Sequence, residues 1–292
     1  MKLPAMVTLL ALSAVSLAAQ ESQKADSAAA HADSAAAREV AVGSRRAPLL
    51  TRKDVWAGGA LLAATGGLSL ADVRVLRAFR DPARQANPRY QSVAGDLRHV
   101  QEKSLFVASI AAYGVARVTR ADAVADAGLH AAEGLALASA VSSLVKSVTG
   151  RARPFMSEGD QYNFRPFKGF SDGRYRSFPS LHEGGGFAFA AVVSEEVARR
   201  RPAVGHYVVA PLLYGGAAAV GASRIYSNKH WASDVLAGAT VGTMSGLVVM
   251  RFNHARPAGE RSRLDRALLR RVTVLPTVDG GGGVGLAVGT SF

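Results

Sequence analysis

The chain of 292 residues contains no cysteine. Disulfides, thiolate metal sites and cysteine nucleophiles are therefore excluded, as is a lipid anchor attached through an N-terminal cysteine. Lysine is scarce: of 35 basic residues only seven are Lys, at positions 2, 24, 53, 103, 146, 168 and 229. Long uncharged apolar runs are scarce as well. Apart from residues 3–19, none reaches the ~20 residues of a simple membrane span. This is not the pattern of a chain dominated by long spans.

What is present is an apolar share of 49%, with 20% of residues charged. That suffices for a sizeable core and rules out wholesale disorder. The length corresponds to one or two domains at roughly 150 residues each. The net charge of +13 favours anionic partners such as phosphate groups, anionic lipid headgroups or nucleic acid. Arginine dominance suits bidentate phosphate binding.

Residues 1–19 read as a secretory signal peptide: Lys2, an apolar stretch, then small residues at Ser16, Ala18 and Ala19. The body is expected to work outside the cytosol, which weighs against nucleic acid as a partner. Residues 20–50 form a low-complexity linker in which ADSAAA occurs at 25–30 and again at 32–37. Residues 51–256 are expected to form a helical domain of about six helices, over 55–71, 105–118, 129–148, 184–197, 207–222 and 234–252. A charged stretch, 72–88, separates the first two. Both a soluble bundle and a compact membrane-embedded bundle fit these runs. The tail, 257–292, alternates apolar residues around DGGGG at 279–283, which predicts a short β-hairpin.

Three polar clusters carry chemistry. Lys146 precedes Gly150, a helix terminator, and Arg151 and Arg153 follow, with Pro154 pushing Arg153 toward an extended backbone. One point charge and one planar guanidinium fork make a phosphate clamp. Pro179, Ser180, Leu181, His182 and Glu183 precede an apolar helix; backbone N–H groups at such a start present themselves to an anion. Glu183 is expected to point to solvent. The third cluster holds Ser223, Arg224, His230 and Asp234. If helical, His230 and Asp234 share a face, and the carboxylate fixes the imidazole tautomer. Between the first two clusters, Tyr162, Phe164, Phe167 and Phe170 alternate with Arg165, Lys168, Arg174 and Arg176, as a loop reading an anionic substrate would.

Together the clusters fit the pattern K-x6-R-P, P-S-G-H, S-R-x5-H-x3-D, with Leu181 in place of the usual glycine. In this the chain resembles the type 2 phosphatidic acid phosphatases, a superfamily shared with bacterial acid phosphatases and vanadium haloperoxidases. The resemblance covers residues 129–252. It implies an all-α bundle and a metal-independent phosphatase acting on a phosphomonoester or a lipid (pyro)phosphate, without a cofactor and with vanadate binding as a phosphate mimic. By position, Lys146, Arg153 and Arg224 would hold the phosphoryl oxygens, with Ser180 and the amide of Leu181. His230 would attack phosphorus, Asp234 would orient it, and His182 would protonate the leaving oxygen. Leu181 is shared with phospho-headgroup transferases of the superfamily, so transfer to a lipid alcohol is an alternative. A haloperoxidase and an inactive anchoring protein are others. The implied location is the bacterial cell envelope, facing the periplasm, at or in a membrane.

Overall fold

A computed structural model describes residues 48–157, 159–255, 273–278 and 284–289. The expected signal peptide and almost all of the linker lie outside the described residues. The described residues hold nine helices: α1 (Arg52–Ser69), α2 (Asp72–Phe79), α3 (Pro82–Gln85), α4 (Pro88–Leu97), α5 (Glu102–Val118), α6 (Asp122–Thr149), α7 (Leu181–Arg200), α8 (Pro202–Tyr226, with a π-turn at Gly205–Val209) and α9 (Ala232–His254).

The six expected helices are α1 and α5–α9, most of them longer than their apolar runs because polar residues cap the ends. Thr51 caps α1: the Asp54 amide donates to Thr51 Oγ1 at 3.3 Å, and the Thr51 amide donates back to Asp54 at 2.6 Å. Of the other three, α2 and α3 lie in the stretch read as a charged separator and α4 starts at its end. Asp81 and Asn87 each precede a proline and accept from amides at 2.9–3.2 Å, so a cap side chain and a pre-set φ start α3 and α4.

Helices α6, α7 and α9 form the centre, lined by small residues including Ala131, Ala138, Ala188, Ala191 and Ala237. Gly238, Gly242 and Gly246 recur every fourth residue along α9, on one face. A Cβ at Gly242 would collide with the carbonyl of Gly184 on α7, so these helices meet backbone to backbone. Buried apolar side chains cannot fill such an interface; van der Waals contact between small residues does. Large apolar side chains point outward instead: Trp56, Tyr207 and Leu212 are 79%, 81% and 70% exposed. Among the described residues three helices, α6, α8 and α9, are long and apolar enough to cross a membrane, or four spans result if the bent pair α1–α2 counts as one.

Two tail segments, Thr273–Val278 and Val284–Gly289, run antiparallel. The rest of the expected hairpin lies outside the described residues, and the all-α assignment rests on the helices alone.

Gly150 ends α6 with φ 59°, its amide bonded to the Lys146 carbonyl at 3.2 Å. A Cβ there would also collide with the Arg165 carbonyl. Gly150→Ala is therefore expected to destabilise the fold by more than the ~1–2 kcal/mol of a left-handed conformation alone. Denaturant unfolding checks this; an unchanged midpoint would contradict the cap geometry.

Candidate active site

The site lies where the C-terminus of α6 and the N-termini of α7 and α9 meet. Its foundation is Arg151, 2% exposed. One terminal nitrogen donates to Asp234 at 2.7 Å and to Ser233 at 2.8 Å; the other donates to Asp72 at 2.8 Å and to the Gln161 carbonyl at 2.7 Å. The guanidinium also lies 5.3 Å from the Phe164 ring and 5.4 Å from the Trp231 ring. Asp72 accepts in addition from the Ser233 amide at 2.8 Å. This joins α2, the loop after α6 and the start of α9 through one buried cation between two buried carboxylates. Sequence reasoning passed over Asp72 altogether and gave Arg151 no role beyond its position beside the clamp.

His230 lies outside α9, in the loop that follows α8. Asn228 takes φ 57° there, and the Lys229 amide bonds the Arg224 carbonyl at 3.0 Å, closing α8; asparagine is among the few residues that adopt this conformation readily. The expectation that His230 and Asp234 share a helical face is thus corrected. Asp234 is the third residue of α9 and accepts from the Trp231 amide at 2.8 Å and from Ser177 Oγ at 2.5 Å. His230 Nδ1 is 3.6 Å from Asp234 and 2.9 Å from the Ser177 carbonyl. A carbonyl only accepts, so Nδ1 carries the proton and Nε2 carries the lone pair. Asp234 reaches His230 through Ser177, whose hydroxyl it binds and whose carbonyl holds the ring. Burial drives the His230 imidazole down to about 3, so the ring stays neutral.

Ser180 precedes α7, its amide bonded to the Asp234 carbonyl at 2.9 Å. The first helical amides, at Leu181, His182 and Glu183, have no backbone acceptor among the described residues. Leu181 opens the helix without a positive φ, so the replacement of glycine carries no backbone strain. Its side chain lines a cavity of about 530 Å³ with Phe106, Val107 and Leu135. His182 lines another, of about 150 Å³, with Phe189, Leu212 and Val220. The His182 ring nitrogen is 3.8 Å from Glu102, a residue the sequence did not single out. Burial, and next the charge of Arg224, lower His182 to about 4.

The cations differ sharply from Arg151. Lys146 is 4% exposed yet makes no hydrogen bond or ion pair among the described residues. Arg224 Nε and Ser180 Oγ are buried without a hydrogen-bond partner. Arg153 sits in extended backbone before Pro154, and among the described residues its side chain donates only to the carbonyls of Gly173 and Lys229, at 3.2 Å each. The charges of Arg224, Lys146 and Arg153 all act on His182. A buried cation without an anion, as Lys146 is here, is costly; with the part-buried Arg153 and Arg224 acting on the same histidine, the cluster can accept a multiply charged anion. In the loop above, Phe167 and Phe170 are 65% and 63% exposed, while Arg176 donates to Ser147 and to the Gly169 carbonyl at 3.1 Å.

Glu183 corrects the expectation of a solvent-facing side chain: it is fully buried, and neither oxygen has a hydrogen-bond partner. Gly221 and Gly238, on α8 and α9, leave the room it occupies. Burial raises its carboxyl to about 8, so it is neutral at pH 7.

Fold and site together give a helical bundle with a cluster of cations beside two imidazoles. The PAP2 superfamily profile matches residues 127–258, and the chain carries a PAP2 superfamily domain over that stretch. A lipid A 1-phosphatase of Porphyromonas gingivalis is 43% identical over 72 residues, which is 24% of this chain and 15% of that protein's length. The fold is similar to the crystal structure of a transmembrane PAP2-type phosphatidylglycerolphosphate phosphatase from Bacillus subtilis, with a TM-score of 0.51 and 20% identity, covering 70% of this chain and 96% of the other.

Paired and unpaired cations make opposite predictions. Arg151→Met leaves Asp72 and Asp234 buried without their cation and is expected to cost about 3–5 kcal/mol of unfolding free energy. Arg224→Met removes a cation with no partner and is expected to leave stability unchanged or slightly higher. Equal losses in denaturant unfolding would contradict this division.

Proposed function

We propose that the chain is a phosphatase of the cell envelope, embedded in a membrane and facing the periplasm, that hydrolyses a lipid phosphate or diphosphate through a phosphohistidine. The observation that carries the reading is the set of cations Lys146, Arg153 and Arg224 that all act on His182, with Lys146 and Arg153 acting also on His230, whose Nε2 holds a lone pair. Phosphoryl transfer asks mainly for positioning and charge neutralisation. Lys146, Arg153 and Arg224 neutralise the phosphoryl oxygens, and Ser180 with the first amides of α7 adds neutral donors. His230 Nε2 forms a bond to phosphorus while the bond to the leaving oxygen breaks, and His182 gives that oxygen a proton. Water then attacks the phosphohistidine, His182 takes the water's proton, and orthophosphate leaves. These cations supply the charge that a metal ion would otherwise bring, so catalysis needs none. Vanadate, with the geometry of the phosphoryl group in transfer, binds as an inhibitor.

A lipid substrate fits the surroundings. Apolar cavities open beside Leu181 and His182, Phe167 and Phe170 are exposed in the loop between α6 and α7, and the outer helix faces are apolar. Exposed aromatics of this kind suit the membrane–water interface. The short stretch shared with a lipid A 1-phosphatase supports a lipid-borne phosphate.

His230→Ala is expected to abolish phosphate release from a lipid phosphate in detergent, by at least ~10³-fold, while EDTA leaves turnover intact well below the melting temperature. Release surviving His230→Ala would overturn the mechanism, and phosphate passing to added alcohols rather than water would make the chain a transferase. The pH profile has a definite sign. His230 must be neutral, so kcat/KM rises above pH about 3, and His182 must be protonated, so kcat/KM falls as pH rises past about 4. A bound phosphoryl anion raises His182, so the fall in kcat comes at higher pH. An alkaline limb in His182→Asn identical to the parent's would contradict that role.

A further inference from the structure

At the other end of the same three core helices lies a cluster that the phosphatase reading does not use. His130 stands on α6, Glu196 on α7 and His254 on α9. Glu196 Oε1 is 2.6 Å from His130 Nδ1 and 2.7 Å from His254 Nε2, and one ligating atom from each residue lies within 4.8 Å of the others. His130 and Glu196 are buried at 4% and 2% exposure. Lys146, His182 and Asp234 sit 16, 14 and 20 residues away along the respective helices. At 1.5 Å per residue the separation from the phosphate pocket is about 20–30 Å.

We propose that His130, Glu196 and His254 bind a divalent transition-metal ion, with zinc the best match. Two imidazole nitrogens and one carboxylate oxygen are a zinc donor set, and three protein ligands leave one position for water. Imidazole selects zinc, copper, nickel or iron over magnesium and calcium. With bonds of ~2.0–2.2 Å, the ion needs the oxygen and the nitrogens slightly further apart than the hydrogen bonds now hold them. A small rotation of the Glu196 carboxylate supplies that, and each ring moves its proton to its other nitrogen. An outer partner is present: Arg200 lies 3.6 Å from Glu196 Oε2 and 3.8 Å from Asp126. It orients the carboxylate, as second-shell groups do for metal ligands. Its side chain is 48% exposed, so it can swing away from an incoming cation. The ion would tie α6, α7 and α9 together opposite the end where Arg151 ties α2 and α9 to the loop after α6. It plays no part in phosphoryl transfer, so the inference stands apart from the proposed activity.

The full chain in detergent micelles, stripped with EDTA and dialysed against zinc, should hold one zinc per chain by elemental analysis. The cobalt-loaded form should show the visible absorption of a four-coordinate ion. Glu196→Gln keeps the shape and a hydrogen-bonding head but loses the carboxylate; with His254→Ala it is expected to weaken zinc binding at least 100-fold while the helical circular dichroism stays intact. His182→Asn should retain the zinc, which separates this site from the histidines of the phosphate pocket. A parent chain holding no more zinc than Glu196→Gln would overturn the proposal and leave the cluster a hydrogen-bonded clamp only. Loss of zinc in His182→Asn would overturn it as well.

Discussion

The site depends on one buried ion pair network: Arg151 held between Asp72 and Asp234. Without the guanidinium, two carboxylates would be left in a low-dielectric interior, a cost of several kcal/mol. With it, three segments far apart in sequence are fixed at one point. Asp234 is thereby free to bind Ser177 and the Trp231 amide. Ser177 in turn holds the imidazole of His230 by its carbonyl. The tautomer of the proposed nucleophile is thus set by a chain of contacts that begins at Arg151, with the Asp234 carboxylate 3.6 Å from Nδ1 besides.

Around this satisfied network stands an unsatisfied one. Among the described residues, Lys146, Arg224 and Ser180 have donors without an acceptor. Cations left so are a standing destabilisation, and such strain concentrates where a ligand will relieve it. The two networks divide the labour: one uses its charges to build the fold, the other holds its charges in reserve for an anion. Neutral His182 and neutral Glu183 keep the pocket from gathering further positive or negative charge of its own.

Much of this was legible in the sequence. Lys146, Arg153, Ser180, His182, Arg224, His230 and Asp234 lie in short spacings that depend only on local chain geometry. The main helices were legible because apolar runs of 14–20 residues leave few alternatives, although their polar ends were not. The short helices of 72–97 were hidden because charge and proline there read as a break, when Asp-Pro and Asn-Pro were starting helices. Asp72 and Glu102 were invisible for a different reason: they reach the site from distant segments and belong to no spacing. Glu183 was misread because its room is made by glycines on two other helices, which no local pattern reveals. Arg151 carried a weak signal, a second arginine two residues from Arg153, but nothing in the spacing tells a structural guanidinium from a ligand-binding one.

The proposed mechanism turns on His230 Nε2 as the atom that bonds phosphorus. The direct measurement is rapid quenching during turnover of a labelled lipid phosphate, followed by peptide mass spectrometry under alkaline conditions. An acid-labile, base-stable phosphate on His230 that forms and decays at the rate of turnover is expected. Phosphate release with inversion at phosphorus and no phosphorylated His230 would contradict it, because water would then attack the substrate directly.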